Sequence, residues 1–218
     1  MSLSHDEEVR TSTSRDAAET SNQNLQSYMQ ALVEKRIRQP QDDLISKLVV
    51  EQYKPGYIDK EDVCNLAFLV LVAGNAALIN SIALGVITLL EHPAQLAELK
   101  ANPSLGPQVA REVTRYHTVS ALNSRRVAKE DMVIGDKLIR KGEGVICSVQ
   151  SADRDQSFYE HPNRFDIHRK SHPGDVMGFG HGPHRCQAEW LARAELEIAF
   201  STLFRRLPNH SILLEIRQ

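Results

Sequence analysis

From Val63 to Leu90 the chain carries no charged residue. A run of that kind is costly on a solvated surface, and it is long enough either to cross a bilayer or to form a long core helix. Asn65, Asn75, Asn80 and Ser81 interrupt it, together with Gly74 and Gly85. Asp59, Glu61 and Asp62 crowd its start, and no basic cluster flanks either end as a topology signal would. A helix buried inside a soluble protein is therefore the expectation, and a membrane span the alternative. Asp59, with Asp62 three residues on, predicts the helix start, and Pro93 marks its stop.

Helical patterns flank this segment. Residues 1–20 are rich in Ser, Thr and Asp and read as a disordered tail. From about Asn22 to Arg38, Leu25, Met29, Leu32 and Ile37 fall near helical spacing, and Pro40 ends the segment. Asp42 to Val50 predicts a short helix before the Lys54-Pro55-Gly56 turn. Pro93 opens a helix to about Lys100, Asn102-Pro103 breaks it, and Pro107 sits at the start of a helix reaching about His117.

The character changes after Thr118. Ser124–Ala128, Met132–Ile134, Lys137–Arg140 and Gly144–Val149 are β-prone pieces separated by glycine turns. A polar stretch from Ser151 to Pro173 follows, then a glycine-rich loop, Gly178–Gly182. The last helix is expected from about Ala188 to Leu207, with Leu196, Ala199, Phe200, Leu203 and Leu207 on one stripe and Pro208 after it. The fold class is mainly α with a small β-sheet, one domain over residues 21–218.

Composition excludes some partners. The formal net charge of −2 gives no electrostatic reason to expect nucleic acid or an anionic membrane. Three separated cysteines, Cys64, Cys147 and Cys186, make no disulfide framework and fit a reducing compartment. Met1 to Asn24 lacks the apolar core of a secretory signal. An intracellular, cytoplasmic protein is expected, with mitochondria as the other compartment.

Chemistry concentrates before the last helix. A cysteine at a helix start faces unpaired N–H groups and the positive end of the dipole, which favour thiolate, the metal-ligating form. The glycines bring no side chains and admit a flat ligand. Seen alone, Cys186 reads more simply as an ordinary cysteine at a helix start. His181, His184 and Cys186 also allow a zinc site, for which no fourth ligand is evident nearby.

Cys186 is not alone. Phe179, Gly182, the basic residue His184 and Cys186 resemble the phenylalanine–glycine–basic–cysteine loop of the cytochrome P-450 family. Ala73-Gly74-Asn75-Ala76 lies where that family has its oxygen-side helix, and Glu112-Val113-Thr114-Arg115 resembles its glutamate-x-x-arginine pair. Pro162-Asn163-Arg164-Phe165 resembles the segment whose arginine completes that ion-pair cluster. His184-Arg185 before the cysteine, Asn75 in place of an acid, and the stretches 99–105 and 128–131 are similar to the fungal nitric oxide reductase branch, from about Arg15 to Pro208.

The resemblance implies the C-terminal haem-binding half of that fold, truncated at both ends. It implies haem b (iron protoporphyrin IX) with Cys186 as the proximal iron ligand, and Phe179, Gly180, His184, Ala73 and Gly74 around the cofactor. Arg126 falls near a propionate, Arg125 at a channel for NADH or NADPH, and Ser120 in the distal proton network, beside Asn75 and Ala77 of the central helix. The implied reaction is reduction of nitric oxide to nitrous oxide by a hydride. The alternatives are a monooxygenase that takes a small organic compound, dioxygen and a redox partner, and a truncated, non-catalytic family member.

Three departures bear on activity. Ala77 replaces the usual threonine and cannot relay a proton. Nothing matches the family's N-terminal half. The family's terminal strands find no counterpart in His210–Gln218. An uncovered central helix would favour self-association.

Overall fold

Helix starts and stops follow the local chemistry. A computed structural model describes residues 12–120, 124–170 and 176–207. The elements in order are α1 (Ser12–Arg38), α2 (Leu44–Leu48) running into a π-turn (Val49–Tyr53), α3 (Lys60–Glu91), α4 (Pro93–Ala101) and α5 (Gly106–His117). Strands β1 (Ser124–Val127), β2 (Met132–Ile134), β3 (Lys137–Ile139) and β4 (Gly144–Cys147) follow, then α6 (Val149–Ala152), a 3-10 turn (Met177–Phe179) and α7 (Glu189–Arg206). The tail over residues 1–11, Pro173, Pro208 and the run 210–218 lie outside the described residues.

The start of α3 is a reciprocal cap. Asp59 Oδ1 accepts from the Asp62 amide at 2.8 Å, and Asp62 Oδ2 accepts from the Asp59 amide at 3.0 Å. Pro93 at the first position of α4 needs no amide partner there. One boundary departs from expectation: α1 begins at Ser12, so residues 12–20 are helical rather than part of a tail. Ala17, Ala18 and Glu19 are good helix formers, and they extend α1 into solvent.

The contacts divide the chain into two units, the first ending at Gly74 and the second beginning at Asn75. In the first, Val33, Val49, Val63 and Cys64 are buried with Ile37, Ile45, Leu48, Tyr53 and Ile58 against them. Arg36 Nε meets Asp43 Oδ2 at 2.5 Å, and Lys60 Nζ meets Glu34 Oε1 at 2.9 Å.

In the second, α5 and α7 pack around Leu89, Leu96, Leu99, Val109, Val113, Phe165, Ile167, Leu196, Phe200 and Phe204. The buried stripe of α7 is Leu196, Phe200 and Phe204, at intervals of four; Leu207 is exposed, so the stripe ends at Phe204. Phe200 lies so close to α3 that a Cβ on Gly85 would sit 2.3 Å from its Cζ. The β-structure is two hairpin-like pairs, β1 with β4 and β2 with β3, both antiparallel.

The expectation of a buried central helix is met on one face of its C-terminal part, where Leu78, Ile82, Val86, Leu89 and Leu90 lie on the second unit's core, and fails over much of the rest. Leu66, Leu69, Val70, Leu71 and Val72 are exposed in the first half of α3, and Ile79 and Ile87 in the second. Only 11% of its most apolar window is buried. By length and composition α3 also meets the requirement for a membrane span, which is weak support for one. Absence of charge demands cover for such a face, and the described residues leave the stretch from Leu69 to Val72 without it.

Candidate functional site

The second unit's polar centre is built on α5. Glu112 and Arg115, one turn apart, are both fully buried. Arg115 Nε and Nη2 each donate to a Glu112 carboxylate oxygen at 2.8 Å. Its Nη1 donates to the carbonyls of Asp153 (2.8 Å) and Pro162 (2.9 Å), and Nη2 also to that of Arg164 (3.2 Å). Five N–H bonds find five acceptors, the full capacity of a guanidinium. Glu112 Oε1 accepts in addition from the Asp166 amide at 2.9 Å.

The third charge differs from expectation. Arg164 gives the cluster its carbonyl, and its side chain is exposed. Arg169 instead meets Glu112, Nε to Oε2 at 3.2 Å, and donates to the carbonyls of Glu160 and Arg164 at 2.5 and 2.8 Å. Phe165, buried next door, turns the chain so that the Arg164 carbonyl faces inward while its side chain faces out.

Asp153 was not anticipated. It is fully buried; Oδ2 accepts from the Thr118 hydroxyl at 2.9 Å and Oδ1 from the Met177 amide at 2.7 Å. Thr118 caps α5 at φ 44°, uncommon for a β-branched residue, and Asp153 holds it there. Met177 begins the turn that leads to the cysteine loop, and Gly178 passes so close to α5 that a Cβ would sit 2.9 Å from Thr114 Cγ2. Nothing local marks Asp153: its partners lie 35 and 24 residues away.

The loop runs through Gly180 and Gly182, at φ 79° and 81°. Cys186 N–H donates to the Phe179 carbonyl at 2.8 Å, and the Arg185 amide to Gly182 O at 3.0 Å. Cys186 is exposed and lies three residues before α7, its carbonyl accepting from the Glu189 amide at 3.3 Å. Cys186 thus lies in a turn ahead of α7, where the expectation was the helix start itself. Glu189 is held below the usual carboxylate range, first by its hydrogen bond from Arg185.

The remaining expected residues are scattered. His184, Arg125 and Arg126 are exposed, the last two adjacent on β1, where neighbouring residues point to opposite faces. Ser120 is half-buried; Asn75 is exposed and Ala77 half-buried, with the Ala77 carbonyl taking the Ser81 hydroxyl at 2.8 Å. Ala73 and Gly74, at the end of the first unit, are exposed. Among the described residues no hydrogen bond or ion pair joins Cys186 to Ser120, Asn75, Ala77, Arg126 or His184.

The donor set decides which metal group fits. Among the described residues no three His, Cys, Asp or Glu side chains converge, so the zinc reading has no ligand set. One exposed thiol in a glycine-rich loop suits an iron whose remaining ligands come with a macrocycle. The space where a Gly182 Cβ would stand is open.

A family model described as Cytochrome P450 matches residues 104–210. Cytochrome P450 55A3 of Fusarium lichenicola is 54% identical over 197 residues, 90% of this chain and 48% of that protein. Pentalenic acid synthase of Streptomyces avermitilis is 40% identical, over 85% of this chain and 45% of its own length. Among solved structures, CYP105P1 in complex with filipin I superposes with a TM-score of 0.82 at 37% identity, covering 96% of this chain and 51% of that one. Mycinamicin VIII C21 methyl hydroxylase from Micromonospora griseorubida gives 0.79 at 37%, over 88% and 49%. The chain spans about half the length of the relatives it matches.

Proposed function

The chain belongs to the cytochrome P450 family, and from that premise we propose that it is the cysteine-bearing part of a haem-thiolate oxidoreductase that reduces nitric oxide to nitrous oxide with NADH or NADPH. The observation that carries the reading is Cys186 itself, exposed in a loop closed by its own amide on the Phe179 carbonyl. The similarity to Cytochrome P450 55A3 and the His184-Arg185 pair favour the nitric oxide branch.

A haem b held by Cys186 would supply the iron for an overall reaction in which two nitric oxide molecules, one hydride from NADH or NADPH and one proton give nitrous oxide and water. The chain's residues prepare that chemistry. Cys186 would offer its sulfur to that iron, and Gly180 and Gly182 would keep side chains away from the flat ligand. His184 and Arg126 carry donors suited to propionates, and Arg125 a charge suited to a dinucleotide phosphate. Ser120 offers a hydroxyl for proton delivery; Ala77, lacking one, offers none. Nitric oxide is the small-molecule partner, the compartment intracellular, and the uncovered face of α3 a surface for self-association.

The second reading is a monooxygenase, favoured by relatives named as hydroxylases. Loaded with haem, reduced and given carbon monoxide, the protein is expected to show the red-shifted Soret band of thiolate ligation, lost in Cys186→Ala. Persistence of that band in the variant removes Cys186 as the ligand. NADH with nitric oxide is then expected to yield nitrous oxide without a redox partner, whereas a strict need for ferredoxin or a reductase selects the monooxygenase.

A further inference from the structure

The cysteine loop is closed by one side chain as well as by main-chain bonds. Arg185 Nη1 donates to the Gly180 carbonyl at 2.8 Å, while Nε and Nη2 reach both carboxylate oxygens of Glu189, at 2.6 and 2.9 Å. Glu189 is the first residue of α7 and is 7% exposed. Its Oε1 also meets Arg193 Nη2 at 2.7 Å, and the Arg193 guanidinium lies 5.4 Å from the centre of the Phe179 ring. The residue before the cysteine is thereby forked onto the helix that follows and bridged to the loop that precedes. A guanidinium serves both because its donors lie on two edges of a rigid plane; an ammonium is a point charge without that geometry.

Without such a tie, two glycines in left-handed conformations would leave the loop many alternatives. We propose that Arg185 and Glu189 are positioning residues that, with Arg193, clamp the 179–186 loop so that the Cys186 sulfur is presented in one orientation to the iron. The clamp as a feature of the loop stands on geometry alone; its purpose rests on the haem-thiolate reading above.

The test uses the full chain in two arms. In the haem-free protein, amide hydrogen exchange at Cys186 and Gly180 is expected to quicken about tenfold in Glu189→Gln and in Arg185→Lys, with Leu196 and Phe200 in α7 unchanged. Arg185→Lys keeps the charge, so wild-type rates in that variant would reduce the clamp to a charge effect and overturn it. Faster exchange throughout α7 in both variants overturns it too, because the pair would then only start the helix. In the haem-loaded protein, the share of the reduced carbon monoxide complex showing the red-shifted band is expected to fall in both variants. An unchanged share refutes the positioning role. A wild-type protein that takes up haem without that band overturns the haem-thiolate reading, while the exchange arm still reports on the clamp.

Discussion

The Glu112–Arg115 centre and the Cys186 loop lie in one unit and obey opposite rules. In the centre every guanidinium N–H has an acceptor, both side chains are fully buried, and carbonyls from three separate positions converge on one arginine. In the loop the key side chain is exposed, and order comes from two main-chain bonds, one forked arginine and two positive-φ glycines. The first arrangement makes a fold unique at the cost of tolerance, since a buried charge that loses its partner has nowhere to go. The second leaves a sulfur free to bind something outside the chain.

That contrast breaks most readily at the centre. Glu112→Ala leaves Arg115 buried and uncompensated, and is expected to lower stability by about 3–5 kcal/mol in chemical denaturation. A loss under about 1 kcal/mol would mean water enters the cluster, and the contrast with the loop would disappear. Phe200→Ala removes the ring packed against Gly85 and is expected to cost about 3–4 kcal/mol by the same measurement.

A pH effect sharpens the comparison. His117 Nε2 is 2.6 Å from the Thr88 hydroxyl, and its pKa lies below the ordinary 6.5, first because of burial and then because of the Arg154 charge. The unfolded chain therefore binds this proton more readily than the folded one. The corresponding stability is present above about pH 6.5 and drains away as pH falls toward the folded value. Denaturation midpoints measured across that window should fall for the natural sequence and fall less for His117→Gln. Equal slopes would locate the acid sensitivity elsewhere. The smallest effect belongs to the loop: Cys186→Ser is expected to change haem-free stability by less than about 0.5 kcal/mol, against total loss of the thiolate band. A large destabilisation would make Cys186 a packing residue and merge the two regions into one.

Local chemistry was legible in the residues. Asp59 and Asp62 announced a cap, Pro93 and Pro107 announced helix starts, and α3, α4, α5 and the strands fall within a few residues of expectation. Leu196 and Phe200 revealed the face of α7, though Phe204 rather than Leu207 completes it. The cysteine loop was legible through its resemblance to the family's loop, since Cys186 taken alone reads as an ordinary cysteine at a helix start.

What resisted reading depends on distant parts of the chain. The sequence by itself determined the helices and the turns, because each rests on contacts a few residues apart or on the intrinsic preference of one residue; the cysteine loop and the Glu112/Arg115 pair were legible through the family resemblance. Only the tertiary structure decided that Arg169 rather than Arg164 meets Glu112, that Asp153 joins the end of α5 to the turn before the loop, and that the uncharged face of α3 stands open. Arg115 takes carbonyls 38 to 49 residues away, and a carbonyl belongs to every residue alike, so side-chain identity carries no sign of which one will arrive. An uncharged run states that it needs cover; which surface provides it is settled by chain packing alone.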